Sequence, residues 1–161
     1  MIVMGLNQGM QPIAGYNFGA KLYGRVNKVL RLTIIYATAV TTFGFLVGML
    51  VPDLVVGIFT SDAELTELSV TGLRITVMFF PIIGFQMVTS NFFQSIGMAG
   101  KAIFLSLTRQ MLILLPCLLV LPQFFGVAGV WYSMPVSDLL ASLIALVMLV
   151  CQFRKFRTSP L

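Results

Sequence analysis

The chain has 161 residues, 58% of them hydrophobic and 9% charged, with ten Lys or Arg, five Asp or Glu and no histidine. At a mean hydropathy of +1.00 it carries too little charge to cover a water-soluble domain of this length. The missing histidine and the scattered acids (Asp53, Asp62, Glu64, Glu67, Asp138) leave no Ser-His-Asp set and no metal-ligand spacing, so neither an enzyme nor a bound cofactor or metal is expected.

Three stretches, residues 32–52, 75–100 and 110–137, contain no charged side chain. Each reaches the roughly 20 residues that a helix needs to cross about 30 Å of hydrocarbon. The runs are continuous, whereas a membrane β-barrel alternates with period 2. The fold class is therefore all-α: a polytopic integral membrane bundle with about four full transmembrane helices and a partial leading helix.

In chain order, residues 1–20 form that partial helix, which from Met1 to Gly15 is about 22 Å long and too short to span. It reads as the inner half of a helix whose beginning is missing, or as one that a partner completes. Asn7, Gln8 and Gln11 fall on one of its faces. Lipid disfavours three amides, so they should face a water-filled path or serve as hydrogen-bonded glue between helices. Gly5, Gly9, Gly15 and Gly19 have the spacing that permits close helix contact.

The full spans are expected near 32–52, 68–97, 102–122 and 129–152. In the first, Thr38, Thr41 and Thr42 should bond back to their own helix. In the second, Phe79, Ile83, Gln86, Ser90, Phe93 and Gln94 share a face whose aromatics and uncharged amides suit either an amphipathic organic ligand or a buried helix seam. The third carries Arg109 and the fourth Asp138, beside the small residues Ala141, Ser142 and Ala145. A carboxylate at the bilayer centre costs about 2.5–3.5 kcal/mol on insertion scales, so Asp138 should pair with Arg109, couple to a cation or lie near the outer interface. Pro81, Pro116 and Pro135 fall inside spans and free backbone carbonyls there. Cys117 and Cys151 lie at different depths and should not pair.

Charge alternates between the connections. Lys21, Arg25, Lys28 and Arg31 precede the first full span, Asp53, Asp62, Glu64 and Glu67 follow it, Lys101 marks the next turn, and Arg154, Lys155 and Arg157 close the chain. The positive-inside rule then puts the basic ends and the carboxyl terminus in the cytoplasm, in an inner or plasma membrane, with only Arg74 against the trend. Cations in these positions read as topology signals and contacts to anionic lipid, not as a nucleic-acid surface.

Gly5-Leu6-Asn7-Gln8-Gly9-Met10-Gln11-Pro12-Ile13-Ala14-Gly15-Tyr16-Asn17-Phe18-Gly19-Ala20-Lys21 resembles a segment in the carboxyl-terminal half of the multidrug and toxic compound extrusion (MATE) transporters. The later order is similar too: Ile58-Phe59-Thr60-Ser61-Asp62, Gln94-Ser95-Ile96-Gly97, Thr108-Arg109-Gln110, Gly126-Val127-Ala128-Gly129-Val130-Trp131, and Ser137-Asp138. The resemblance implies part of a carboxyl-terminal lobe: the end of an eighth helix, then helices nine to twelve. It implies export of small organic compounds in exchange for Na⁺ or H⁺ by alternating access, with the missing amino-terminal lobe as partner. Asn7, Gln8, Gln11, Phe79, Gln86, Ser90 and Phe93 would line the substrate path. Gly84-Phe85-Gln86-Met87 lacks the acid that some members carry in the tenth helix, which implies coupling through the missing lobe or through Asp138. Two other readings remain open: a lipid-linked oligosaccharide flippase, and a non-transporting membrane subunit or remnant.

Overall fold

The computed structural model describes residues 1–59 and 62–158. Thr60 and Ser61 of the acidic connection, the Leu161 terminus and the side chains of Glu64 and Arg157 lie outside the described residues. The elements are α1 (Ile2–Gly19), α2 (Tyr23–Leu50), α3 (Pro52–Gly57), α4 (Ala63–Val77), α5 (Phe80–Ser95), α6 (Ala99–Leu107), a π-helical stretch (Thr108–Leu114), α7 (Leu115–Phe125) and α8 (Val127–Thr158). Tyr23–Leu50, the rod Ala99–Phe125 and Val127–Phe156 are each long and apolar enough to cross a membrane. Leu65–Val77 and Phe80–Ser95 together make a fourth path, bent by 49°.

Two elements depart from the expected spans. α2 begins at Tyr23 and not near residue 32: the charge-free run starts after Arg31, but the helix extends beyond it through Arg25, Lys28 and Arg31, because charged residues do not stop a helix. The single span expected over 68–97 is two helices. Pro81 sits in the first turn of α5, where its missing N–H is harmless, but its ring excludes a straight continuation from α4. Arg74 lies in the last turn of α4, exposed, where a cation suits the helix carbonyls.

α5 is the hub, packing on α1, α2, α6 and α8. Gln11 Nε2 donates to Asn91 Oδ1 at 3.2 Å, and one turn on, a Cβ at Gly15 would lie 2.8 Å from the Ser95 carbonyl oxygen. Equal four-residue steps on both helices make α1 and α5 parallel. Gly84 brings α5 equally close to α2, since its Cβ would sit 2.7 Å from Thr41 Oγ1 and 3.0 Å from the Ala37 carbonyl oxygen. Of the four glycines in α1 only Gly15 makes such a contact; Gly5, Gly9 and Gly19 lie on the exposed side with open space beside them.

Met10, Ala14, Val26, Leu30, Ala37, Val88, Phe92 and Leu149 belong to one buried cluster between these helices. α7 buries none of its residues, and its Leu119 and Phe124 are 62% and 77% exposed. A helix that is apolar all round needs a cover of lipid or of further protein on its outer side.

The charges are sorted by end. Phe156 stacks on Tyr23 with ring centroids 5.1 Å apart and meets Phe18 at 5.7 Å, so the ends of α1 and α8 and the start of α2 lie together. Lys101 Nζ donates to Gln152 Oε1 at 2.5 Å, adding the α5–α6 turn to this end. There Gly97, at φ +76°, takes the left-handed conformation that lets Met98 N–H reach the Phe93 carbonyl at 2.9 Å. The acidic connection is at the opposite end, near Trp131, whose ring fills the space above Gly72.

Candidate functional site

Three polar groupings lie within the apolar bundle. The first joins the π-helical stretch to α8. A π-turn holds more residues than an α-turn, and such segments are frequent at functional sites. Here it ends just before Pro116, which offers no N–H to the preceding turn. Asp138 is buried at 5% exposure, and its Oδ1 accepts from Arg109 Nε at 2.8 Å, with a terminal guanidinium nitrogen at 2.7 Å. Ser137 Oγ donates to the Arg109 carbonyl at 3.0 Å, so both side chains of the Ser137-Asp138 pair hold the same turn. A cavity of about 240 Å³ opens beside the pair, bounded also by Thr76, Phe80, Ile83 and Met134. It reaches the bend between α4 and α5. The contact expected between Arg109 and Asp138 is present.

The second grouping is on α1. Asn7 is 3% exposed, and neither its amide nitrogen nor its amide oxygen has a hydrogen-bond partner among the described residues. Gln11 is half-buried and bonded to Asn91, which in turn donates to the Met87 carbonyl at 2.9 Å. Gln8 is exposed. The three amides therefore do not share one environment: one is sealed in, one bridges to α5 and one faces outward.

The third grouping is on α5. Gln86 is 4% exposed and its Oε1 has no hydrogen-bond partner among the described residues. Phe93 is fully buried beneath Lys101, whose Nζ stands 5.3 Å from the ring centroid. Ser90 turns to α6, with its Oγ 3.3 Å from the Ala102 carbonyl and 3.2 Å from Ser106 Oγ. Phe79 is half-buried in the break before α5. One face of a continuous helix would have carried all four; the bend and the packing divide them instead among the break, the core and the α6 seam. Thr41 bonds back to the Ala37 and Thr38 carbonyls at 3.0 and 3.1 Å. Cys117 and Cys151 are free thiols.

Asn91 and Gln152 complete these contacts and were not singled out by sequence reasoning. Their partners lie 80 and 51 residues away. The available signal was an amide among or beside apolar residues, which marks a polar contact without naming its partner.

A family model described as MatE matches residues 1–120. The multidrug export protein MepA of Staphylococcus aureus (strain MSSA476) is 26% identical over 146 residues, covering 91% of this chain and 32% of that protein. Among solved structures, the MATE multidrug transporter DinF-BH is 36% identical, with a TM-score of 0.90 over 98% of this chain and 35% of that one. A multidrug resistance MATE family transporter of the MOP superfamily, solved in an inward-facing conformation, shares the fold at 20% identity and a TM-score of 0.90, covering 98% of this chain and 37% of that one. The chain spans about a third of the length of these relatives. With a family match across most of its length and the same helical fold, this chain belongs to the MatE family, the multidrug and toxic compound extrusion transporters.

Proposed function

We propose that the chain forms part of one lobe of a multidrug efflux antiporter, which exports small organic compounds against an inward flow of Na⁺ or H⁺. The observation that carries this reading is the match of nearly the whole chain to about a third of a MATE multidrug transporter, at 36% identity and a TM-score of 0.90. A second lobe of the same transporter supplies the opposite wall of the cavity. The chain's fold is also shared, at TM-scores of 0.90 and 0.86, with transporters solved inward-facing and outward-facing. That supports alternating access in which the lobe keeps its shape and rocks against its partner.

In this reading Gln8, Gln11 and Phe79, on the accessible side of α1 and at the bend, line the path. Asn7, Gln86 and Ser90 supply polar groups behind them. Phe93 acts from the core, by holding Lys101 and the α5–α6 turn. The Arg109–Asp138 pair is a clamp between spans, with its carboxylate already neutralised by a guanidinium, and coupling resides in the other lobe. The basic end faces the cytoplasm of a cell whose plasma membrane holds the transporter, and the carboxyl terminus is on that side. The chain performs no catalysis of its own.

Dye efflux from vesicles containing the full transporter tests this. Efflux should require an imposed Na⁺ or H⁺ gradient and should fall severalfold with Gln86→Leu. Efflux indifferent to both gradients would remove the coupling, and equal efflux with and without Gln86→Leu would remove Gln86 from the polar groups that support the path.

A further inference from the structure

At the cation-bearing end, residues of α2 and α8 line a groove of about 660 Å³. We propose that this groove binds one anionic phospholipid, with its phosphate between Arg31 and Arg154 and its acyl chains along the apolar walls beside them. The volume falls in the range of small-molecule pockets. Two guanidinium groups line it, with Asn27 and Tyr23 as further polar neighbours, and none of its described lining residues is acidic. Forked guanidinium donors match phosphate oxygens bidentately, which gives the site its preference for an anionic headgroup.

Depth agrees with this occupant. α2 has 28 residues, about 42 Å of helix against about 30 Å of hydrocarbon, so about 12 Å of it protrudes. Arg31 stands eight residues beyond Tyr23, again about 12 Å, which sets it at the boundary between acyl chains and headgroups. Arg154 lies two residues before Phe156, whose ring stacks on Tyr23, so it occupies the outer edge of the same layer. The two arginines bracket the height at which phosphates sit. Towards the bilayer centre the walls become Ile34, Ile35 and Val150, with Ile35 and Val150 51% and 43% exposed. They continue into Val147 and Leu146 on α8, 61% and 47% exposed, which form an apolar track for chains.

Native mass spectrometry of the full transporter, released from detergent containing equal phosphatidylglycerol and phosphatidylcholine, tests the site. One phosphatidylglycerol should be retained in preference to phosphatidylcholine and should resist excess inorganic phosphate. Arg31→Gln and Arg154→Gln should each weaken its retention about fivefold, and the pair about thirtyfold. Arg31→Lys with Arg154→Lys, which keeps the charge and loses the fork, should fall between wild type and the Gln pair. Arg25→Gln with Lys28→Gln, which removes equal charge outside the groove, should leave the preference intact. Equal retention of the two lipids, displacement by inorganic phosphate, or equal loss in the Arg25 and Lys28 control would overturn the proposal. So would exclusion of lipid by another helix of the transporter seated in the groove.

Discussion

Arg109 and Asp138, 29 residues apart, tie the π-helical stretch to the middle of α8 through one carboxylate oxygen, at 2.8 Å from Nε and 2.7 Å from a terminal nitrogen. Removing one partner of a buried pair leaves an uncompensated charge, which costs about 3–5 kcal/mol, while replacing both with apolar groups is often neutral. Arg109's side chain is 36% exposed, so Asp138→Ala should fall at the lower end of that range. The double change Arg109→Met with Asp138→Leu should recover most of the loss. Thermal unfolding in detergent measures both. If Asp138→Ala is as stable as wild type, the pair is not a clamp.

Asn7 gives the opposite combination of effects. Its buried amide has no partner among the described residues, so Asn7→Leu removes a desolvated polar group without breaking a hydrogen bond. Stability should hold or rise by about 1 kcal/mol, while dye efflux by the full transporter falls. An unfolding temperature several degrees lower would show that the amide is structural.

Gly84 and Gly9 should respond oppositely to the same added methyl. At Gly84 it would press on Thr41 Oγ1 and the Ala37 carbonyl, and overpacking of that kind costs about 1–3 kcal/mol. At Gly9 nothing lies within 4 Å, so alanine should be neutral or stabilise by up to about 1 kcal/mol through helix propensity. A thermal-shift comparison of Gly84→Ala and Gly9→Ala reads the difference. Equal shifts would mean that α2 and α5 do not approach this closely.

The sorting of charge by end predicts orientation. A reporter enzyme that folds only in the cytoplasm, fused after Leu161, should be active, and an equivalent fusion in the acidic connection after Asp53 should be silent. Activity at Asp53 alone would invert the bundle.

The membrane class, the all-helical fold and the sorting of charge between connections were legible in the residues. Each depends on local quantities: the length of an uncharged run and the sign of the charge beside it. The family was legible as well, from the contiguous segment over residues 5–21. Arg109 and Asp138 were candidate partners because few charges lie deep in the chain. What residues 79 to 93 do was not legible. A face drawn on an ideal helix cannot foresee that the bend before Pro81 sets Phe79 apart, or that neighbours on different sides divide Phe93 from Ser90. Likewise, the two four-residue pairs Gly5/Gly9 and Gly15/Gly19 marked four possible contact points, and the parallel docking of α1 on α5 uses one. Hydropathy along a chain reports what each residue gains from lipid or loses to water. Which amide meets Asn91, and which remains sealed without a partner, depends on how helices 51 to 80 residues apart come to lie together, and only packing in three dimensions decides that.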